Sequence, residues 1–123
     1  LYVKFNYPDY IFIASLSTFL GHVFPIWLKF KGGKGVATYV GILFSINLIL
    51  GLIFIASWIV TFLISKYSSL SSLVASLIVP IYLIIFENYN SMFFIIMFVL
   101  IFYTHKENVK RLKNKEETKI KIY

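Results

Sequence analysis

Lys29, Lys31 and Lys34 share residues 29–35 with the glycines Gly32, Gly33 and Gly35, between two long apolar stretches. Charge at that density beside a membrane-like segment is costly unless it faces water or an anion. Glycine, lacking a Cβ, lets backbone N–H groups approach a ligand closely. Together they describe a place where a phosphate could be held at the mouth of a membrane protein. Gly35-Val36-Ala37-Thr38 leads straight into a predicted helix, whose unpaired N–H groups and dipole favour an anion. The string is not a Walker P-loop, because Gly35 follows Lys34 where Ser or Thr is required. On spacing alone, a flexible basic turn beside the membrane accounts for it equally well.

Two other polar constellations interrupt the apolar chain. Lys66-Tyr67-Ser68-Ser69-Leu70-Ser71-Ser72 places four hydroxyls at a predicted helix start. Such hydroxyls serve as N-caps more often than as ligands, yet they can also donate to phosphate oxygens. Nothing in the pattern supplies the aspartate of a Ser-His-Asp triad, which argues against a serine nucleophile. His105-Lys106-Glu107-Asn108 ends the last apolar run. His105 and Asn108, three apart, are expected on one helical face, although a lone histidine at a helix end is ordinarily an interfacial residue. His22 is expected to be buried mid-segment, three residues before Pro25. An ionisable group there is either a functional candidate or a partner for the carbonyl that the proline frees.

The elements that must position these groups are membrane helices. Residues 10–28, 35–65 and 67–86 carry no charged side chain, and 88–105 carry none apart from His105. A helix needs ~20 apolar residues to cross the hydrocarbon core. Stretches such as Leu48-Ile49-Leu50-Gly51-Leu52-Ile53-Phe54-Ile55 lack the polar face of a soluble helix, and the strand alternation of a β-barrel is absent. The expected fold is an all-α, polytopic membrane helix bundle with about five transmembrane helices. As one helix, the 31 residues of 35–65 would span ~46 Å at 1.5 Å per residue, too long without strong tilt. Asn47 and Gly51 suggest a turn between short helices at 36–47 and 50–65, with local thinning, tilt or re-entrant ends. A single tilted helix is the alternative.

Basic residues gather at three places: 29–34, Lys66, and 106–121. The positive-inside tendency makes all three cytoplasmic, so the intervening runs cross in pairs. Glu87-Asn88-Tyr89-Asn90 then forms an outer turn, and Asp9 lies outside. Residues 1–105 form the transmembrane domain, and 106–123 a basic, helical cytoplasmic tail attracted to anionic headgroups. The chain has no cysteine, which excludes disulfides and any thiol-based metal or thioester site. Its net charge of +7 sits at the cytoplasmic ends, so nucleic acid is not an economical partner.

Four strings, in this order and spacing, resemble the bacterial acyl-phosphate:glycerol-3-phosphate acyltransferases. They are Gly21-His22-Val23-Phe24-Pro25; Lys29 to Thr38 with its Gly-Gly-Lys-Gly-Val-Ala-Thr core; Lys66 to Ser72; and His105-Lys106-Glu107-Asn108-Val109-Lys110-Arg111-Leu112. The likeness runs from about Asp9 to Glu117. The family also carries an earlier Ser/Gly/Asn-rich motif with an arginine, which no residue before Leu1 supplies. The chain therefore resembles the last five of the family's seven helices, and a fragment is expected.

The resemblance implies acyl transfer from acyl phosphate to the 1-hydroxyl of glycerol 3-phosphate, yielding lysophosphatidic acid and inorganic phosphate. It implies a bacterial inner-membrane location, with membrane lipid and these two substrates as partners. It assigns Gly32, Gly33, Lys34, Gly35 and Thr38 to the phosphate of glycerol 3-phosphate. Ser69, Ser71, His105 and Asn108 become catalytic groups that orient phosphate or hydroxyl across a cytoplasmic cleft. His22 stays a structural or site residue. Acyl phosphate is already activated, so no cofactor, metal or covalent nucleophile is expected, only orientation and charge stabilisation. A substrate phosphate oxygen or His105 takes the hydroxyl proton.

Two other classes compete. A coenzyme A-dependent His-x-x-x-x-Asp acyltransferase is disfavoured, because Trp27 follows His22 and Lys110 follows His105 at the required place. A small transporter or channel subunit would carry its polar groups at mid-membrane depth, whereas here they collect at the helix ends.

Overall fold

The structure, a computed structural model, describes residues 6–29, 32–87 and 91–120. Phe30 and Lys31 of the basic string lie outside the described residues, as do Asn88, Tyr89 and Asn90 of the expected outer turn. All regular structure among the described residues is helical, and the chain divides into two compact units, Leu1–Leu52 and Ile53–Tyr123.

In the first unit, Pro8 opens a 3-10 turn, Pro8–Tyr10, which runs into helix α1, Ile11–Val23. Pro25 pushes the residue before it away from helical geometry. Phe24 accordingly leaves the helix at φ −122° and ψ 57°. A second 3-10 turn, Ile26–Leu28, ends at Lys29 with φ 52°, and helix α2 follows as Val36–Ile46. Helices α1 and α2 pack together. Phe19 and Val23, one turn apart on α1, are buried, as are Tyr39, Ile42 and Leu43 on α2.

Asn47 breaks the long apolar run, as the sequence suggests. Its backbone is extended, its N–H donates to the Leu43 carbonyl at 2.8 Å, and its Oδ1 accepts the Ile49 N–H at 2.8 Å. One side chain thus starts helix α3, Leu48–Ser65, in the manner asparagine favours at N-termini. The Phe44 ring lies 2.6 Å from where a Cβ of Gly51 would stand, so only glycine admits it.

The second unit takes the rest of α3, then α4 (Ser68–Tyr82), α5 (Ser91–Thr104) and α6 (Lys106–Lys113). Lys66 turns the chain between α3 and α4 at φ 64°. Pro80 lies inside α4, and the helix widens just beyond it into a π turn, Leu83–Glu87. The missing proline N–H is a physical reason for that change of pitch. Helix α4 buries Ser69, Ser72, Ala75, Ser76 and Val79, and it packs against α5, which buries Phe94, Met97 and Ile101. Small residues let membrane helices approach closely where no hydrophobic drive exists between them.

Many other apolar side chains face outward. Ile64 is 80 % exposed, Phe86 71 % and Ile85 65 %, a surface suited to lipid rather than water. Among the described residues, three stretches are long and apolar enough to cross a bilayer: Pro8–Leu28, Leu48–Ser65 and Ser68–Glu87. A fourth appears only if Ser91–Thr104 and Lys106–Lys113 count together, and they are bent by 64°. The five expected apolar helices are all present, but α2, with 11 residues, reaches only ~16 Å and does not cross alone. The chain is an all-helical integral membrane protein.

Candidate functional site

Two polar clusters form, one in each unit. In the first, the glycine-lysine loop docks onto the end of α1. The Gly32 N–H donates to the Val23 carbonyl at 3.1 Å. A Cβ on Gly32 would collide with the carbonyl oxygens of His22 and Val23, and one on Gly33 would stand 2.9 Å from His22 Nε2. Gly35 has φ 80° and lies against the Phe19 ring and Val23, with no room for a side chain. Packing thus requires glycine at 32 and 35, and backbone geometry requires it at 35, whereas Gly33 meets only the end of the His22 ring.

His22 is not buried mid-segment. It is exposed in the last turn of α1, because the helix stops at Val23 and apolar neighbours in a membrane chain do not imply burial. Lys34 is exposed, and Thr38 is half-buried in the first turn of α2. Gly35 occupies the N-cap without a side-chain hydrogen bond. The first N–H groups of α2 therefore receive no side-chain cap, the arrangement in which a helix start attracts an anion.

The second cluster gathers around a residue that the sequence reading passed over, Glu117. Helix α6 ends in a Schellman turn: Lys115 has φ 61°, its N–H donates to the Leu112 carbonyl at 3.2 Å, and the Glu116 N–H donates to Arg111 at 2.8 Å. This turn reverses the tail. Ser69 Oγ then donates to Glu117 Oε1 at 2.6 Å, Asn108 Nδ2 donates to the same oxygen at 2.7 Å, and Arg111 Nε donates to Oε2 at 2.7 Å. Beyond it, the Ile120 N–H donates to the Lys66 carbonyl at 3.0 Å. Burial works to raise the Glu117 carboxyl, but the bonds from Ser69, Asn108 and Arg111 and the guanidinium charge outweigh it, holding the pKa down at about 2. The signal that could have found Glu117 is the acidic pair Glu116-Glu117 placed after the helix-ending Asn114-Lys115 in a strongly basic tail.

The serines of α4 do not cap it. Tyr67 holds the N-cap without a side-chain bond. Ser71 Oγ donates to the Tyr67 carbonyl at 2.8 Å and Ser72 Oγ to Ser68 at 3.0 Å, one turn back. Ser72 Oγ also accepts Trp58 Nε1 at 3.1 Å. Ser69 alone of the predicted pair reaches Glu117.

His105 and Asn108 do not extend from one continuous helix, because the bend between α5 and α6 falls at His105. His105 is buried at 2 % exposure, and its Nδ1 lies 2.8 Å from the Ile101 carbonyl. A carbonyl oxygen only accepts, so Nδ1 carries a proton. Asn108, also buried, turns to Glu117. The carboxylate thus sets the orientation of two predicted site residues, Ser69 and Asn108.

The fold is that of an all-helical integral membrane protein, with a docked glycine-lysine loop in the first unit and a Ser-Asn-Arg-Glu cluster in the second. The family model for glycerol-3-phosphate acyltransferase matches residues 1–115, and the chain belongs to that family. It is 89 % identical over 123 residues to the glycerol-3-phosphate acyltransferase of Pelagibacter ubique (strain HTCC1062), covering 100 % of this chain and 64 % of that protein. Over 114 residues it is 46 % identical to the same-named protein of Bradyrhizobium diazoefficiens, covering 92 % of this chain and 58 % of that one. A crystal structure of PlsY, an integral membrane glycerol 3-phosphate acyltransferase in its glycerol 3-phosphate form, matches with TM-score 0.88 at 29 % identity. The match covers 97 % of this chain and 62 % of that one. A second crystal structure of PlsY, in its lysophosphatidic acid form, matches equally well. The chain spans about three fifths of the length of these relatives.

Proposed function

We propose that the protein transfers a fatty acyl group from acyl phosphate to the 1-hydroxyl of glycerol 3-phosphate, releasing lysophosphatidic acid and inorganic phosphate. The observation that carries this reading is the loop Gly32–Gly35, docked on α1 with Lys34 exposed at the start of α2. Lys34 and the loop N–H groups hold the phosphate of glycerol 3-phosphate, with Thr38 one turn further on. Related structures named for their glycerol 3-phosphate and lysophosphatidic acid forms support this substrate and product.

The hydroxyl oxygen attacks the acyl carbonyl, forming the ester C–O bond, and the bond from that carbon to the phosphate oxygen breaks. Its proton passes to an oxygen of the departing phosphate or to His105 Nε2. Ser69, Ser71 and Asn108 orient phosphate and hydroxyl groups. The enzyme's work is positioning and charge stabilisation. Supplied with glycerol 3-phosphate, membranes carrying the whole gene product should consume palmitoyl phosphate, release inorganic phosphate, and keep their rate in chelator. Efficient use of palmitoyl-coenzyme A instead, or loss of activity in chelator, would mean a different donor or mechanism.

The site faces the cytoplasm of a bacterial inner membrane in this reading, since cations cluster at Lys34, Lys66 and the tail. The chain has no cysteine, so single cysteines at 34, 66 and 105 should react with an impermeant reagent only from the cytoplasmic side. Labelling of position 66 from outside would overturn the paired crossings.

A further inference from the structure

We propose that His22 is a positioning residue for the phosphate loop: its imidazole is the wall against which Gly33 lies, fixing the path that carries Lys34. The inference rests on the reading of Gly32–Gly35 as the phosphate loop. The ring edge is what Gly33 meets. A Cβ there would stand 2.9 Å from Nε2, 3.6 Å from Cδ2 and 3.9 Å from Cε1. The backbone of the same turn holds the preceding residue, because Gly32 donates to the Val23 carbonyl and lies against the His22 carbonyl. His22 therefore braces two consecutive loop residues, one through its main chain and one through its side chain.

The ring's exposure sets it apart from a core residue. Phe19 and Val23, which pack under Gly35, are buried, whereas His22 is exposed. Filling the apolar interior is the work of the first two. Buried Pro25 fixes the chain's exit just beyond the turn. A side chain at 33 would have to displace the end of the His22 ring, whether or not a ligand also approaches the backbone. Replacing Gly33 by a larger residue cannot by itself report on phosphate contact.

The test measures KM and kcat for glycerol 3-phosphate in the whole gene product, with His22→Ala, His22→Gln, Gly33→Ala and the His22→Ala/Gly33→Ala pair. His22→Ala should raise KM about tenfold with kcat within about twofold, the scale on which small misplacements of a binding group act. His22→Gln, which restores a planar polar group of similar reach, should recover most of that loss. Gly33→Ala should be damaging alone but add little to His22→Ala, since residues in contact are not independent. Unfolding midpoints in detergent should not change with the His22 substitutions. An unchanged KM in His22→Ala, or multiplicative effects in the pair, would overturn the inference. If His22→Ala fails to accumulate, His22→Gln decides: a KM near that of the unsubstituted protein sustains the inference, and equal loss of kcat and stability overturns it. Absence of turnover in the unsubstituted protein would instead sink the assignment of the reaction.

Discussion

Lys34→Ala is expected to abolish acyl transfer while leaving the protein folded in the membrane. The loop's course is set by Gly32 on the Val23 carbonyl, Gly33 on His22 and Gly35 on Phe19, and Lys34 is exposed. Removing one member of a charge pair costs ~2–5 kcal/mol, much of it from leaving the other charge unpaired. At about 1.4 kcal/mol per decade, that is a loss of roughly 30- to 4,000-fold in kcat/KM. Lys34→Arg should recover only part of it, because a planar guanidinium does not replace a compact ammonium in a tight loop. Initial rates against glycerol 3-phosphate concentration provide the measurement, with protein level as the control for folding. Unsubstituted turnover by Lys34→Ala would remove the loop from the reaction.

The second large effect is expected at Glu117. Glu117→Ala should release the tail and lower the unfolding midpoint, because Ser69, Asn108 and Arg111 all donate to this carboxylate. Ser69 and Asn108 are 7 % and 5 % exposed, and a buried donor left without its acceptor costs ~1–3 kcal/mol. The Arg111 ion pair adds little, since that side chain is 46 % exposed and water screens it. Two orphaned donors are a large share of a total stability of ~5–15 kcal/mol. Glu117→Gln keeps an acceptor oxygen and should fall between the two. With a folded pKa of about 2 against the ordinary 4.5, the carboxylate contributes fully above about pH 4.5. That contribution is lost as the pH falls toward 2. Limited proteolysis at the tail lysines, followed across pH, should show protection disappearing over that window, and protection unchanged in Glu117→Ala would refute the clamp.

The helices and their breaks were readable because their causes are local. Charge-free runs predict the apolar helices, and Asn47 divides the long run near the expected place, at 36–46 and 48–65, by satisfying backbone groups within two to four residues of itself; the end of α1 at Val23, inside the run 10–28, was not foreseen. The loop's glycines and lysines were visible as a cluster, but spacing alone left a flexible basic turn equally open, and its docking on α1 came from packing. The partners that orient the site were not readable. Glu117 meets Ser69 across 48 residues, and only the Schellman turn at Lys115 and the packing of α4 on α5 determine that they meet. His22 was misjudged because apolar neighbours signal burial in a water-soluble chain, whereas in a bilayer both buried and lipid-facing positions are apolar. Hydropathy and spacing report what a residue's own turn can do; which distant carboxylate or ring it faces depends on side chains brought together by packing, and that only the tertiary structure decides.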